Sequence, residues 1–479
     1  MTPVSKILAS RPLARLIARS LRIFWRNRRA NLAVMFALSA SILIVFVGMG
    51  IDYLVGLSFK SRWDTAADAA AVAAVKAAEA YVTANASTES TAALISAADA
   101  AGNAQGEKIF NANAGASDAA GTVTPSVSTQ ASGTTFTATV AYTGTSPSLF
   151  GGSVGIYNLS EAGSATASAA MTTYINYYII LDTSESMGVG SSATDMNNLF
   201  ARTQAYGNAT DGEPGCVLGC HVTTVDNNGT HQTYTNEYLA HNISPTITLR
   251  IDAAKSAIQD VLTQATAAGA SGNIQIGLYT MQSYSQGGTA YPKIGPYINT
   301  ISSPTANFST LGTLLGTIDL ASPDPEYGWG NSALTDSLDY FNTDIFNNVT
   351  LGNGFSSSSP LNYVLIITDG VQDVYGASGF WDHSTEALDP SLCEPFKAVA
   401  TVGVVYTTYL PFYQNNNSAD GYDTLYNGIV EPIASQIAPN LQSCATSSQY
   451  YYEATDGPAL TAALQALFTS TSQTLRLTQ

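Results

Sequence analysis

The sequence predicts an α/β protein. A doubly wound, mainly parallel sheet is expected over residues 173–479, preceded by one transmembrane helix and a small α+β module. Three observations predict it. From about residue 174, short apolar runs of strand character alternate with stretches of helical periodicity, which implies a mainly parallel sheet covered on both faces. Residues 32–51 carry no charge and are mostly apolar, long enough to span a bilayer as one helix. Between these regions an alanine-rich stretch gives way to segments with period-two alternation.

The amino-terminal segment, residues 1–31, is basic: eight Lys and Arg residues precede the first acid, Asp52. The formal net charge of the whole chain is nonetheless −17, which argues against nucleic acid as a partner. The positive-inside rule places the basic end in the cytoplasm and the acidic remainder outside. A cleaved signal peptide would have a shorter apolar core and a small-residue cleavage site before Asp52. A retained transmembrane helix over 32–57 is therefore the expectation. Residues 58–101 are rich in alanine, the best helix former, and continue the helix outward. Residues 115–135 read as loop or thin strands, 135–141 (TFTATVA) as a strand, and 153–172 as another, so residues 58–172 form a small α+β, pilin-like module.

In the carboxyl-terminal region, residues 177–187 (YYIILDTSESM) are an apolar run that stops at Asp182, with Ser184 and Ser186 at alternate positions. An insertion follows at 188–249, a length usually associated with function or disorder. Residues 250–268 place Ile251, Ala254, Ile258 and Val261 on one helical face. A strand is expected at 273–281 and a loop opening a helix at 330–346, with Ser332 in the loop. A second buried-type strand, 363–368, ends on Asp369 and Gly370. Helices at 395–399, 423–437 and 457–469 alternate with strands at 402–409 and 450–453. Polar groups just past the carboxyl ends of parallel strands sit where open α/β sheets carry their ligand sites. Carboxylate and hydroxyl oxygens converging there suit a hard dication.

Three strings in this order, D-T-S-E-S, G-N-S-A-L-T and T-D-G, resemble the von Willebrand factor A domain and its metal-ion-dependent adhesion site, with the resemblance running from about residue 174 to the end. It implies Asp182, Ser184, Ser186, Ser332 and Asp369 as ligands of Mg²⁺, or of Mn²⁺ or Ca²⁺, and a protein partner that offers the metal an acidic side chain. Ser332 stands where the family has threonine, and Glu185 where it usually has glycine. The segment from residue 28 to 71 has its own resemblance. RRANLAVMFA opens it, GIDY follows the apolar run, and KSRWDTAADAAA ends it, similar to the amino-terminal segment of the Tad (tight adherence) pilus-assembly proteins TadE and TadG. Ala30 replaces the usual glycine and Trp63 the usual leucine, and the glutamate that pilins carry inside their apolar helix is missing.

The four cysteines are Cys216, Cys220, Cys393 and Cys444. An even count in an exported domain favours two disulfides out of three possible connectivities, and we favour Cys216–Cys220 with Cys393–Cys444. Zinc held by Cys216, Cys220, His221, His231 and His241 is the rival for the first pair, although C-x₃-C is not a common zinc spacing. No G-x-S-x-G elbow, H-E-x-x-H pair, Walker loop or strand-borne G-x-G-x-x-G occurs, which favours binding over turnover.

These features lead to the expectation of a non-enzymatic, TadG-like pilus assembly or accessory protein, single-pass in the bacterial inner membrane, with its carboxyl-terminal domain periplasmic or at the cell surface. A cell-surface adhesin using the same metal site, or a structural pseudopilin, are the alternatives. The charge asymmetry makes topology testable. A reporter fused at Gln479 should be active only outside the cytoplasm, and cytoplasmic activity would overturn the orientation.

Overall fold

The computed structural model describes residues 28–115, 121–206, 217–218, 236–267, 272–281, 298–320, 332–375, 383–410 and 426–472. The chain divides into two compact units, Met1–Val82 with Ile95–Ala169, and Thr83–Leu94 with Ala170–Gln479.

The first unit is built on a long helix, α1 (Arg28–Asn85), a second helix, α2 (Thr91–Ala114), and three strands, β1 (Thr122–Ser132), β2 (Thr135–Pro147) and β3 (Asn158–Ala170). The alanine-rich helix expected to run to residue 101 is thus two helices. It stops where Ala86, Ser87, Thr88, Glu89 and Ser90 interrupt the pattern, and the Thr88 hydroxyl donates to the freed Asn85 carbonyl at 3.1 Å. The sheet order is β1-β2-β3, with β1 and β2 antiparallel. Trp63, Ala66, Ala67, Ala70 and Ala71 of α1 are buried together with Phe110 of α2 and Val140 and Tyr142 of β2. The Trp63 ring meets Tyr142 edge-on at 5.9 Å, a geometry that favours the aromatic quadrupoles. Among the described residues, α1 holds the one stretch long and apolar enough to cross a membrane.

The second unit is a mixed α/β body with a mostly parallel sheet. In chain order it contains β4 (Ile175–Asp182), α3 (Ala193–Tyr206), α4 (Asn236–His241), α5 (Arg250–Ala267), β5 (Ile274–Met281), β6 (Ile298–Thr305), α6 (Phe308–Gly316), α7 (Leu334–Tyr340) and β7 (Leu361–Thr368). There follow β8 (Val371–Tyr375), β9 (His383–Ala387), α8 (Glu394–Lys397), β10 (Thr401–Thr407), α9 (Ala434–Cys444), β11 (Tyr451–Ala454) and α10 (Gly457–Ser472). The main sheet has the order β11-β10-β7-β4-β5-β6. The contacts β11/β10, β10/β7, β7/β4 and β4/β5 are parallel, and edge strand β6 runs antiparallel to β5.

Side chains of β4 alternate between two cores, as a strand covered on both faces requires. Ile175, Tyr177, Ile179 and Leu181 join a cluster with Ile251, Ala254, Ile258 and Val261 of α5 and Leu464 of α10. The helical face read from the sequence is therefore the buried one. Tyr178 and Ile180 face the other way, into a cluster with Phe341, Phe346, Phe396 and Leu441.

Several elements differ from expectation. The helix expected over 334–346 ends as a wider π turn, Phe341–Ile345, after α7. The helix expected over 423–437 is instead a π turn, Tyr426–Val430, and a 3₁₀ turn, Glu431–Ile433, leading into α9, which runs on to Cys444; residues 423–425 lie outside the described set. The expected insertion contains α3 and α4, and a bridge between Gly190 and Leu249 closes its base.

Cys393 and Cys444 are both buried and form a disulfide, with Cα atoms 5.3 Å apart, as favoured for that pair. Cys216 and Cys220 lie outside the described residues. The Cys393–Cys444 bridge closes 51 residues. In the chain-entropy account, a loop of that size implies a loss of about 4 kcal/mol on removing the bridge. The double variant Cys393→Ser/Cys444→Ser should lower the denaturant midpoint accordingly. A variant as stable as the wild type under oxidising conditions would show that the bridge contributes nothing.

Candidate metal centre

β4 and β7 are parallel neighbours, with Leu181 opposite Ile367, so their carboxyl ends finish side by side. Asp182 closes β4 and Asp369 follows β7, and both are almost wholly excluded from water, at 1% and 0% exposure. Gly370 then turns the chain with φ +74°, a conformation that suits glycine. A Cβ there would also come within 2.6 Å of Leu441.

Each carboxylate is held. The Asp182 Oδ1 accepts the Ser184 amide at 2.9 Å, and its Oδ2 accepts the Thr368 hydroxyl at 2.7 Å. The Ser184 and Ser186 hydroxyls bond each other at 2.9 Å, so the alternate serines of the motif do converge. The Asp369 Oδ1 accepts the Val371 amide at 3.2 Å, and its Oδ2 accepts the Tyr409 phenol at 2.7 Å. Ser332 is buried just before α7, and its carbonyl accepts the Asp373 amide at 3.0 Å. Among the described residues its hydroxyl joins none of the hydrogen bonds around the two acids. Thus Asp182, Ser184, Ser186 and Asp369 gather at one place, while Ser332 is tied in through its backbone.

Sequence reasoning missed Arg250, Tyr409 and Thr368. Arg250 is the first residue of α5, and its side chain is buried. Its Nη1 lies 3.8 Å from the Asp369 Oδ2 and donates to the Ser186 carbonyl at 3.4 Å, and its Nη2 donates to the Thr408 carbonyl at 2.6 Å. The guanidinium also sits 4.8 Å from the centre of the Tyr409 ring, a cation–π contact. Thr368 stood inside the T-D-G string, which was a usable signal. Arg250 had one weak signal, a lone cation opening an otherwise apolar helical face.

The electrostatics follow from the burial. Loss of solvent, and then the neighbouring Asp369 charge, push Asp182 up to about 6. Burial and Asp369 hold the Tyr409 phenol well above its ordinary range, so it remains a donor. Among the described residues one guanidinium, Arg250, pairs with Asp369, and the neighbouring Asp182 carboxylate has no such partner. The donors are all oxygens, and a carboxylate oxygen that accepts one hydrogen bond keeps a second lone pair. The set therefore fits a hard dication, with Asp182, Ser184, Ser186 and Asp369 as its holders and Ser332 beside them.

Of the residues in the zinc alternative, only His241 is among the described ones, and it is paired with a carboxylate. The His241 Nε2 lies 2.8 Å from the Asp252 Oδ2, and that bond raises the imidazole's affinity for its proton. His221 and His231 lie outside the described residues. Among the described residues, no group of three or more His, Cys, Asp or Glu side chains is placed to hold a metal.

No protein-family profile matches the chain, and no curated protein matches it. Among solved structures it is similar to proximal thread matrix protein 1 from the mussel byssus, at 9% identity over 62% of this chain and 46% of that chain, TM-score 0.30. Another structure of the mussel protein is described as having a zinc-occupied MIDAS motif. It is also similar to the PilB minor pilin from Streptococcus sanguinis, at 11% identity over 74% of this chain and 79% of that chain, TM-score 0.33. A third is the ArnB paralog VWA2 from Sulfolobus acidocaldarius, at 11% identity over 72% and 54%, TM-score 0.25. The chain spans about half the length of the mussel protein. Likenesses this distant carry nothing about the site, which stands on its own residues.

Removing the buried cation should leave Asp369 exposed to its neighbour's charge. Arg250→Met should destabilise the second unit by about 3 kcal/mol in metal-free buffer, read from denaturant unfolding, because one member of a buried pair is left behind. Arg250→Lys should recover only part of this, since an ammonium cannot reproduce the guanidinium fork. A loss within error for Arg250→Met would contradict the assigned ion pair.

Proposed function

We propose that this chain is a bacterial inner-membrane-anchored assembly or accessory protein of a Tad-type pilus. Its second unit is a von Willebrand A-like, doubly wound domain that binds a divalent cation, and through it an acidic side chain of a protein partner. The observation that carries the metal-binding part is the pair of buried carboxylates, Asp182 and Asp369, at one sheet end, with the mutually bonded Ser184 and Ser186 hydroxyls following Asp182. Oxygen-only donors favour Mg²⁺, Mn²⁺ or Ca²⁺ over softer metals. The Tad assignment rests on the resemblance of residues 28–71, and the apolar, outward-facing surface of α1 agrees with an anchor. A bound dication supplies the positive charge that a carboxylate-bearing partner needs. Asp182, Asp369 and the serines hold it, and Arg250 and Tyr409 orient Asp369. An oxygen-lined site that offers a partner's carboxylate a dication supports a role in adhesion.

Mass action supplies the test. At about 100-fold excess over Kd, a ligand specific to the folded state adds about 2.7 kcal/mol. The full-length protein in detergent should therefore melt several degrees higher in Mg²⁺ or Mn²⁺ than in chelator. Asp182→Ala should abolish the difference while the protein still folds, because apolar burial holds β4. Ser332→Ala should weaken the shift, Ser332→Thr should keep or enlarge it, and Thr335→Ala should leave it alone. A wild-type protein indifferent to millimolar dications would sink the adhesion-site reading. A larger effect from Thr335→Ala than from Ser332→Ala would sink the assignment of Ser332.

A further inference from the structure

The loop between β2 and β3 is fastened along α1. Gly48, Asp52 and Gly56 are four residues apart and share one helical face. Each touches the returning chain at a different height. The Asp52 carboxylate accepts the amides of Leu149 at 2.7 Å, Phe150 at 2.9 Å and Gly151 at 2.7 Å, and the Ser148 hydroxyl at 2.5 Å. Asp52 is buried by this cap. A Cβ on Gly48 would stand 2.6 Å from Phe150, so that ring lies directly on the helix one turn before Asp52. A Cβ on Gly56 would stand 2.8 Å from the Glu161 carboxylate, one turn after it. From Glu161 to Phe150 the loop thus descends about 12 Å along the helix axis, toward the apolar span.

The loop is built to hold that position. The Ser148 amide donates to the Tyr157 carbonyl and the Ile156 amide to the Gly151 carbonyl, both at 2.9 Å. Residues 147–160 carry no charge. Even so, Leu149 is 68% exposed and Tyr157 70% exposed, and Val154 and Ile156 also face outward. A closed, uncharged loop that turns its large apolar side chains away from its own core has a surface suited to something other than water. The loop meets α1 where Phe150 lies against Gly48, a part of the helix whose exposed apolar side chains include Val47, Tyr53 and Leu54. Tyr53 and Tyr157 supply the amphipathic rings that collect where a bilayer meets water.

We propose that the Ser148–Tyr157 loop is a second membrane contact, seated in the outer interfacial layer of the bilayer beside α1. Leu149, Phe150, Val154 and Ile156 meet the acyl boundary, and Tyr157 meets the headgroups. The Asp52 cap serves both partners: it neutralises the demands of a carboxylate at the edge of the apolar span and fixes the depth of the loop. The first unit is thereby held at a set height on the bilayer rather than hanging from a single helix. This inference rests on the reading that α1 crosses a membrane.

The test is photocrosslinking of the full-length protein in phosphatidylethanolamine/phosphatidylglycerol bilayers. A benzophenone amino acid is placed at one position at a time, Leu43, Leu149, Val154 or Gln130, and adducts are identified by mass spectrometry. Leu43 lies in the apolar span. Gln130 is exposed near the far turn of the β1–β2 hairpin, roughly 30 Å of strand from the loop. Lipid adducts at Leu43, Leu149 and Val154, and their absence at Gln130, are expected. Lipid at Leu43 but only protein adducts, or none, at Leu149 and Val154 overturns the loop contact and leaves the anchor standing. No lipid at Leu43 overturns the anchor and the loop contact together.

Discussion

Two carboxylates meet at the same end of neighbouring parallel strands, and neither has water to dilute its charge. The β4–β7 register leaves no choice about this, because Leu181 stands opposite Ile367 and the chain reaches Asp182 and Asp369 within two residues. The rest of the site is arranged around that repulsion. Thr368 comes from β7, the Ser184 amide from the turn after β4, Tyr409 from the segment after β10, and Arg250 from the start of α5. Four separate parts of the chain are thus tied at one point by charge and hydrogen bonds. Along the strands before that point, the side chains of β4 are buried in two apolar clusters.

The balance at that point is incomplete, and this gives the site its chemical character. Among the described residues, a lone guanidinium beside two buried carboxylates leaves a deficit of positive charge. The upward shift of Asp182 expresses the same deficit as an appetite for a proton. A dication would answer it more fully than a proton, because it can be shared by both acids and by the serine hydroxyls. Arg250 then acts as a positioning residue. It pairs with Asp369 at 3.8 Å and lies over the Tyr409 ring, whose phenol donates to the same oxygen. A buried charge network of this kind is poor evidence for stability and better evidence for a retained task.

Strand ends were legible because an apolar run that stops at an aspartate is a local event, and the α5 face was legible because its period is local too. What escaped was long-range or lay at edges. Arg250 and Asp369 are far apart in sequence, and nothing around either residue announces the other. β6 escaped because its residues are half polar and include Pro304, a combination an edge strand tolerates and a central strand does not. The end of α1 was overrun because alanine dominates on both sides of residues 86–90, so composition masked the serine and threonine that release the helix. Ser332 remains the ligand position that sequence order named and local geometry left outside the hydrogen-bonded cluster.

The first unit makes a different use of apolar composition, in which side-chain size rather than polarity separates two environments. The early part of α1 carries Leu, Ile, Val, Met and Phe side chains that point outward. From Trp63 onward the inward positions are mostly alanines, with Val75 and Val82 among them, and the facing positions of α2 include Gly102 and Gly106. A Cβ on Gly106 would come within 2.8 Å of Val127 and 3.1 Å of Ala74. Small residues are therefore required where helix, helix and strand approach closely, and large ones would force them apart. A bilayer makes no such demand, because acyl chains fill any outline, and there large side chains bury the most surface per turn. With α1 as the proposed anchor, one helix passes from lipid to protein core with no break in its hydrogen-bonded backbone. Charge returns to the helix between Asp52 and Asp64, after the uncharged run: Asp52 is capped by the loop, and Lys60 pairs with Asp64 at 2.8 Å.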